Sequence, residues 1–196
     1  MSVPADFTIL NISGKFTMNK SLTKMDDADE ILRLQGVSWW KRTAISIGTI
    51  TLNIKHYRVT EDEREIEKID ITQTITGGLP GTSENRTLVW KERENEDHLF
   101  GSVIGKSRRV TPKELGELEA FLKEGWTEDT NQHGLVQAYA RSNTEKSGTT
   151  WTGNQTWGVE LVNGERRYTR HVSFVGPKGE EIRTKLYYDY LGPLDS

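Results

Sequence analysis

Hydrophobic and polar residues alternate along most of this chain. In the segment 49–57, Ile50, Leu52, Ile54 and then His56 fall on one face, while the other face carries Thr, Asn, Lys and Tyr. This period of two is typical of a β-strand with one buried side. Similar segments recur to the end of the chain. The pattern predicts about nine or ten strands, which is enough to close an antiparallel barrel.

Turn-forming residues separate these segments. Gly77–Gly81 interrupts the alternation, and Gly176–Gly179 does so again near the end of the chain. Asn163-Gly164 is typical of a type I′ hairpin turn. It therefore predicts that 150–162 and 165–175 pair as neighbouring antiparallel strands.

Two short helices are predicted near the start of the chain, within residues 26–44. Acidic residues crowd the first turn, where the helix dipole favours negative charge, and Gly36 then interrupts the helical pattern. A second short helix follows and ends near Arg42. It begins with Trp39 and Trp40, two large aromatic residues in succession.

A third helix is predicted at 111–125. Thr111 and Glu114 have the spacing of a capping box, and Pro112 occupies the first helical position. Gly125 is a suitable C-terminal cap. One apolar stripe consists of Leu115, Leu118 and Leu122. Two placements stay open: the stripe covers the outside of the barrel, or it lies over the barrel mouth as a lid.

Composition narrows the function classes. The 196 residues suit a single domain, 1–196, and the chain contains no cysteine, which excludes disulfides and thiolate metal sites. A net charge of −3 argues against nucleic acid as a partner. No apolar run approaches the ~20 residues of a membrane span. Because Met1–Asp6 lacks the features of a signal peptide, the expected location is the cytoplasm.

A strand at Gly14–Ser21, then two helices and a long meander of strands, resembles the intracellular fatty-acid-binding proteins of the calycin (lipocalin-like) group. The resemblance implies a mainly β fold, a closed antiparallel up-and-down barrel capped by the two short helices. It also implies an internal cavity and a hydrophobic small molecule as partner. Residues 111–133 form an insertion relative to that family.

The resemblance also implies a ligand-binding end of the cavity. In that family the last strand carries Arg-x-Tyr, which grips the ligand carboxylate, and here the matching residues are Lys185 and Tyr187. The same register, followed through the hairpin, turns Trp157, Tyr168 and Arg170 inward. These residues would form a cationic, hydroxyl-bearing end to an aromatic cavity.

Hydrophobic patterning favours the opposite register for the last strand. The face that alternates with Lys185 and Tyr187 is the more apolar one, and patterning alone would turn it inward. Its members are Ile182, Thr184, Leu186, Tyr188 and Tyr190. Both registers stay open at the level of sequence.

The remaining candidates come from the first strands and helices. Ile54 and His56 would project into the cavity, and His56 is a candidate for proton transfer. Trp39 and Trp40 would lie at the portal through which ligands enter. Catalytic candidates are His56, Lys185 and Arg170. The other histidines lack metal-ligand spacing, so no metal site is expected.

Two functions are compatible with these features. The first is a carrier of an apolar small molecule with a polar or anionic head group. The alternative is a cofactor-free isomerase or cyclase, because lipocalin-like barrels also include pericyclases of fungal natural-product pathways. The sequence has no dinucleotide loop and no nucleophile motif, so no cofactor is expected. It carries no signal of the oligomeric state.

Overall fold

The computed structural model describes residues 1–195, in which ten strands form one antiparallel sheet. The strands are β1 (Gly14–Met18), β2 (Ile50–Glu61), β3 (Arg64–Ile75), β4 (Thr82–Thr87), β5 (Arg93–Asp97), β6 (Gly101–Val110), β7 (Leu135–Ser142), β8 (Thr152–Val162), β9 (Glu165–Val175) and β10 (Glu181–Gly192). The order is β4-β3-β2-β1-β10-β9-β8-β7-β6-β5. Except for β4 and β5, strands that follow one another in sequence are paired, and β1 pairs with β10, which confirms the predicted up-and-down topology.

The barrel is nearly closed. Strands β4 and β5 are the two edges of the sheet, and the seam between β4 and β6 is bridged by other contacts. Arg86 Nη1 donates to Ser107 Oγ at 3.1 Å, and the Trp90 backbone N–H donates to Ser107 O at 2.8 Å. These bonds hold the edges together where the backbone ladder is interrupted.

Two helices cover one end of the barrel, as the sequence predicts. They are α1 (Met25–Leu34) and α2 (Trp39–Ile47), and an ion pair between Asp29 and Arg42 joins them. Their buried faces present Ile31, Leu34 and Ile45 to the barrel. None of the helices in the described part of the chain is long and apolar enough to cross a membrane.

The opposite end is filled by side chains. The N-terminal segment runs beneath the barrel, and its Phe7, Ile9 and Ile12 pack into the main hydrophobic core. The backbone N–H of Val3 donates to Arg166 O at 2.9 Å, which ties the segment to β9. Open space is therefore confined to the half of the barrel beneath the helices.

The insertion is present, but the helix within it is shorter than the predicted 111–125. The remaining helices are α3 (Ala120–Lys123), α4 (Glu128–His133) and α5 (Thr144–Ser147). Only half of the capping box forms: the backbone N–H of Thr111 donates to Glu114 Oε2 at 2.7 Å, but the Thr111 hydroxyl donates to the same oxygen and does not accept from the Glu114 N–H. Gly116 then adopts φ +60°, a left-handed conformation that ends the helical turn. Residues 112–119 form a series of turns instead.

The insertion packs against the outer wall of the barrel. Leu115 and Leu122 are buried beneath it, and Leu118 is partly buried. The hydroxyl of Thr156 on β8 donates to Leu122 O at 2.7 Å. At Gly158 a Cβ atom would lie only 2.7 Å from the Trp126 ring, so glycine permits this close approach. Of the two placements left open by the sequence, the structure has the outer one.

Candidate functional site

A cavity of about 770 Å³ lies between the helix pair and the packed floor of the barrel. This volume is within the range of small-molecule sites. Much of the wall is apolar, with side chains from the helices, the β5–β6 region and the last strands. Examples are Ile31, Ile45, Phe100, Trp151, Phe174 and Leu186. The cavity is large enough to enclose an apolar molecule and hold it out of water.

Arg170 is the cation at the floor of this cavity. It lies on β9 in register with Trp157 of β8 and Leu186 of β10. Its side chain is 6% exposed, and its guanidinium carbon lies 3.9 Å from the centroid of a Trp157 ring. Nε donates to the Tyr168 hydroxyl at 3.0 Å. The floor thus surrounds one positive charge with aromatic rings.

The two terminal nitrogens of Arg170 have no protein acceptor within residues 1–195. A guanidinium carries five N–H donors, and here only Nε makes a hydrogen bond. Buried charges are normally paired, because an unpaired buried donor forfeits its hydration without compensation. Arg170 is therefore prepared to donate to an acceptor that the protein itself does not supply.

The neighbouring ionised groups do not neutralise Arg170. Glu84 on β4 accepts from Arg86 Nε at 2.9 Å and Nη2 at 2.6 Å, so these two charges pair with each other. Burial alone would raise the pKa of Glu84, but Arg86 and Arg170 outweigh it and the pKa is lowered. Glu84 is thus ionised, and both Arg86 nitrogens donate to one of its oxygens, Oε2. One positive charge remains at the floor.

The tyrosines beside Arg170 are neutral at physiological pH. Burial raises the pKa of Tyr168 to about 12, although Arg170 opposes this shift. Burial also raises the pKa of Tyr188, whose ring lies 5.4 Å from the Arg170 guanidinium. These phenols can therefore accept or donate hydrogen bonds, but they do not cancel the charge.

The structure corrects the expected inward placement of Lys185 and Tyr187. On β10 the cavity is lined by Thr184, Leu186 and Tyr188, the face that hydrophobic patterning favours. Lys185 lies on the outer face, where its Nζ is 2.8 Å from Glu160 Oε1. Burial of the more apolar face outweighs the likeness to Arg-x-Tyr, because a shift by one residue would expose that face to water.

Ile54 and His56 belong to the packed end of the barrel and do not line the cavity. His56 Nδ1 accepts from the Ile12 backbone N–H at 3.2 Å, so the ring proton is on Nε2, which lies 2.7 Å from Glu67 Oε1. Burial would raise the pKa of Glu67, but hydrogen bonds from His56 and Arg109 lower it to about 2. This arrangement fastens the N-terminal segment, which is a structural task.

Trp39 and Trp40 lie on the outer side of α2. Their exposed fractions are 72% and 58%, and neither lines the cavity. The opposite face of α2 reaches the cavity through Arg42 and Ile45. The predicted portal pair is thus near the helical end of the barrel, with its indoles turned to solvent.

Polar cavity residues that were not identified from the sequence include Glu84, Arg86 and Gln155. Glu84 and Arg86 are two residues apart on one strand, which places them on one face, and that spacing is the available signal. Gln155 shares a face with Trp157 for the same reason. Within residues 1–195, no group of three or more His, Asp or Glu side chains could hold a metal ion.

The chain is similar to two curated proteins and to solved structures of the same fold. No protein-family model matches the chain. It is 31% identical over 192 residues to the probable pericyclase scpY of Mollisia scopiformis, which covers 98% of this chain and 96% of that protein. It is 29% identical over 194 residues to the pericyclase pydY of Acremonium sp, with 98% of each covered. As-p18, an extracellular fatty acid binding protein, has a TM-score of 0.50 at 13% identity, covers 91% of this chain and 94% of its own, and shares the fold.

Proposed function

Because the chain belongs to the family of the probable pericyclase scpY, we propose that it is a cofactor-independent pericyclase. Its substrate would be an apolar, unsaturated molecule that carries a polar or anionic head group. The reaction would be an isomerisation within the cavity, in which bonds form and break around one ring of atoms. No atoms are gained or lost, so no nucleophile or redox group is needed.

The observation that supports this proposal best is the guanidinium of Arg170, whose terminal nitrogens are unpaired, in a cavity whose wall combines apolar and polar side chains. A donor placed there would bind a substrate carbonyl or enolate oxygen. It would withdraw electron density from a conjugated alkene, and this lowers the barrier when the reacting partner is electron-rich. Such a donor accelerates the reaction to the extent that it binds the transition state more strongly than the substrate.

The walls of the cavity would supply the other part of the rate. In water a flexible substrate chain seldom adopts the conformation in which it can react. A cavity of about 770 Å³ would hold the chain in that folded conformation. The apolar side chains above Arg170 would bring the two reacting ends together. The helices would exclude water and so strengthen the hydrogen bond at Arg170.

A carrier function is the second candidate, and the fold favours it. The barrel, its helical cap and its internal cation would equally retain an apolar molecule with an acidic head group. Both functions share the binding step at Arg170. They differ in whether the bound molecule leaves as the same compound or as an isomer.

The experiment uses the organism that encodes the protein. Apolar extract from a strain lacking the gene is incubated with purified protein and analysed by chromatography and mass spectrometry. A pericyclase yields a new compound of unchanged mass at the expense of a precursor, whereas a carrier releases the precursor unaltered. Arg170→Met should abolish the conversion. Arg58→Met, which removes a half-exposed arginine outside the cavity, should have no effect.

A further inference from the structure

Gln155 presents a second hydrogen-bond donor to the same cavity. The indole Nε1–H of Trp157 donates to Gln155 Oε1 at 2.9 Å. An indole N–H can only donate, so this bond fixes which end of the amide is oxygen. The NH₂ end has no acceptor among residues 1–195, and Gln155 lines the cavity. Its position therefore resembles that of the Arg170 terminal nitrogens.

Trp157 holds both donors. Its rings lie against the Arg170 guanidinium, at 3.9 Å, while its N–H holds the Gln155 amide. Trp157 is fully buried and packed in the main core, so it has little freedom to move. On β9 the partner of Gln155 is Val172, two residues from Arg170. Such diagonal positions on one face are about 7–8 Å apart, within reach of two long side chains.

We propose that Arg170 and Gln155 donate together to one head group of the substrate, and that Trp157 is the positioning residue for both. The inference rests on the proposed function and adds the chemistry of the head group. Two free guanidinium nitrogens and one amide NH₂ match a planar group with two oxygens, either a conjugated dicarbonyl in its enolate form or a carboxylate. Arg86 and Arg170 share a single carboxylate, Glu84, at this end of the cavity, and the net positive charge favours the anion.

The test uses two fluorescent probes that differ in the head group alone. Anilinonaphthalene sulfonate (ANS) carries an anionic acceptor, and phenylnaphthylamine (NPN) is the corresponding molecule without it. The ratio of their dissociation constants measures recognition of the head group and cancels the contribution of the apolar wall. In the wild-type protein we expect ANS to bind at least about tenfold more tightly.

The variants separate donation from packing. Gln155→Leu should weaken ANS binding by about fivefold to tenfold and leave NPN unchanged. Gln155→Glu keeps an acceptor for Trp157 but places a carboxylate beside Arg170, so ANS should bind more weakly still. Gln73→Leu is the matched control, because Gln73 also lines the cavity and has no bond to Trp157. An equal loss of ANS preference in this control would overturn the proposal.

Trp157→Phe tests the positioning role. It keeps an aromatic ring beneath Arg170 and removes the N–H, so the ANS preference should fall as in Gln155→Leu. The double variant Trp157→Phe/Gln155→Leu should bind ANS no more weakly than Gln155→Leu, because the Trp157 N–H acts through the Gln155 amide. If the losses of ANS affinity in the two single variants add up in the double variant, and NPN binding is weakened as well, Trp157 contributes by packing alone. Should Trp157→Phe fail to fold, the two Gln155 variants still decide the role of the amide.

Arg170→Met separates this inference from the proposed function. Loss of the ANS preference in Arg170→Met, with no loss in Gln155→Leu or Gln155→Glu, overturns the role of Gln155 and Trp157 and leaves the Arg170 site intact. If the wild-type protein shows no preference for ANS, or if Arg170→Met leaves that preference unchanged, Arg170 does not bind the head group. Both the proposed function and the present inference are then overturned.

Discussion

Arg170 and His171 are adjacent on β9, yet their side chains lie on opposite faces of the barrel wall in different surroundings. Arg170 faces the cavity, and no carboxylate of residues 1–195 accepts a hydrogen bond from it. His171 lies on the outer face, where its Nε2 is 3.1 Å from Glu160 Oε1. Lys185 Nζ is 2.8 Å from the same oxygen. Glu160, His171 and Lys185 form the outer cluster, in which the protein supplies a counter-charge.

The insertion explains why the outer cluster has its own counter-charge. The His171 ring stacks on Trp126 with centroids 3.9 Å apart, and Nδ1 lies 2.7 Å from Phe121 O. At Gly125, with φ +90°, a Cβ would lie 2.7 Å from Glu160 Oε1, so the insertion closes directly over the carboxylate. Charges sealed within the fold must be matched within the fold. The charge on Arg170, beside a cavity, can be matched by a ligand.

The largest effect should come from removing the counter-charge of the outer cluster. Glu160 is 4% exposed, so Glu160→Gln leaves Lys185 without its buried counter-ion. We expect the free energy of unfolding to fall by about 3 kcal/mol, the lower end for a broken buried ion pair, because Lys185 is partly exposed. Urea unfolding measures this loss.

Glu65→Gln is the control for that substitution, since Glu65 forms an exposed pair with Arg58 and should cost less than about 1 kcal/mol. Equal losses in the two variants would contradict the structural role of the outer cluster. The ratio of ANS to NPN affinity should be unchanged in Glu160→Gln, because its carboxylate lies outside the cavity.

Replacing Arg170, the unpaired cation, should have the opposite effects: it should weaken ANS binding and should not destabilise the fold. Arg170→Met should weaken ANS binding by about 2 kcal/mol, the value for a hydrogen bond to a charged group. The free energy of unfolding should stay constant or rise, since a buried unpaired charge is replaced by an apolar side chain. Fluorescence titration and urea unfolding on one preparation measure both quantities. A strongly destabilised variant with normal ANS affinity would reverse the assignment of the two regions.

Alternation of polarity predicts which strands form and which face of β10 is buried. Leu186 and Tyr188 line the cavity because the apolar face of a strand turns inward. The likeness of Lys185-x-Tyr187 to a known ligand motif predicts the other register, and burial outweighs it. Motif spacing records which residues share a face, whereas the face itself is chosen by the total apolar area that it buries.

The candidate site is less accessible to sequence reasoning than the fold. Arg170 follows from the hairpin register at Asn163-Gly164, which needs only local pairing. Glu84 and Arg86 lie on β4, far from β9 in the sequence, and they approach Arg170 only when the barrel curves around the cavity. The Trp157–Gln155 bond depends on rotamers, which periodicity does not encode. The curvature of the barrel and the side-chain conformations therefore limit how much of the site can be predicted from the sequence.

A smaller effect is expected in the pH dependence of the free energy of unfolding, which should distinguish the outer cluster from the Arg170 site. Burial would raise the pKa of Glu160, but His171 and Lys185 outweigh it, and the pKa lies below the ordinary 4.5. A lowered folded pKa means that the stabilisation is complete above pH 4.5 and is lost as the pH falls below it. The stability difference between the wild-type protein and Glu160→Gln should therefore narrow in acid.

Recognition of ANS should not follow that titration, because a guanidinium does not lose its proton in this range and a sulfonate stays ionised. Urea unfolding and ANS titration at a series of pH values between neutrality and the acid transition test both statements. A stability difference that stays constant through the acid range would remove Glu160 from the titrating groups that hold the outer cluster.

The smallest effect is expected at Lys185, and it decides the register of β10. The side chain is 31% exposed, and His171 remains beside Glu160 when Lys185 is replaced. Lys185→Met should therefore cost about 1 kcal/mol or less of unfolding free energy. Arg183→Met, on the same face of β10 and paired with Glu119, provides a control at a more exposed position. Neither substitution should alter the ratio of ANS to NPN affinity, since both side chains point away from the cavity. A loss of ANS affinity in Lys185→Met alone, comparable to that of Arg170→Met, would instead turn Lys185 inward and restore the register implied by Arg-x-Tyr.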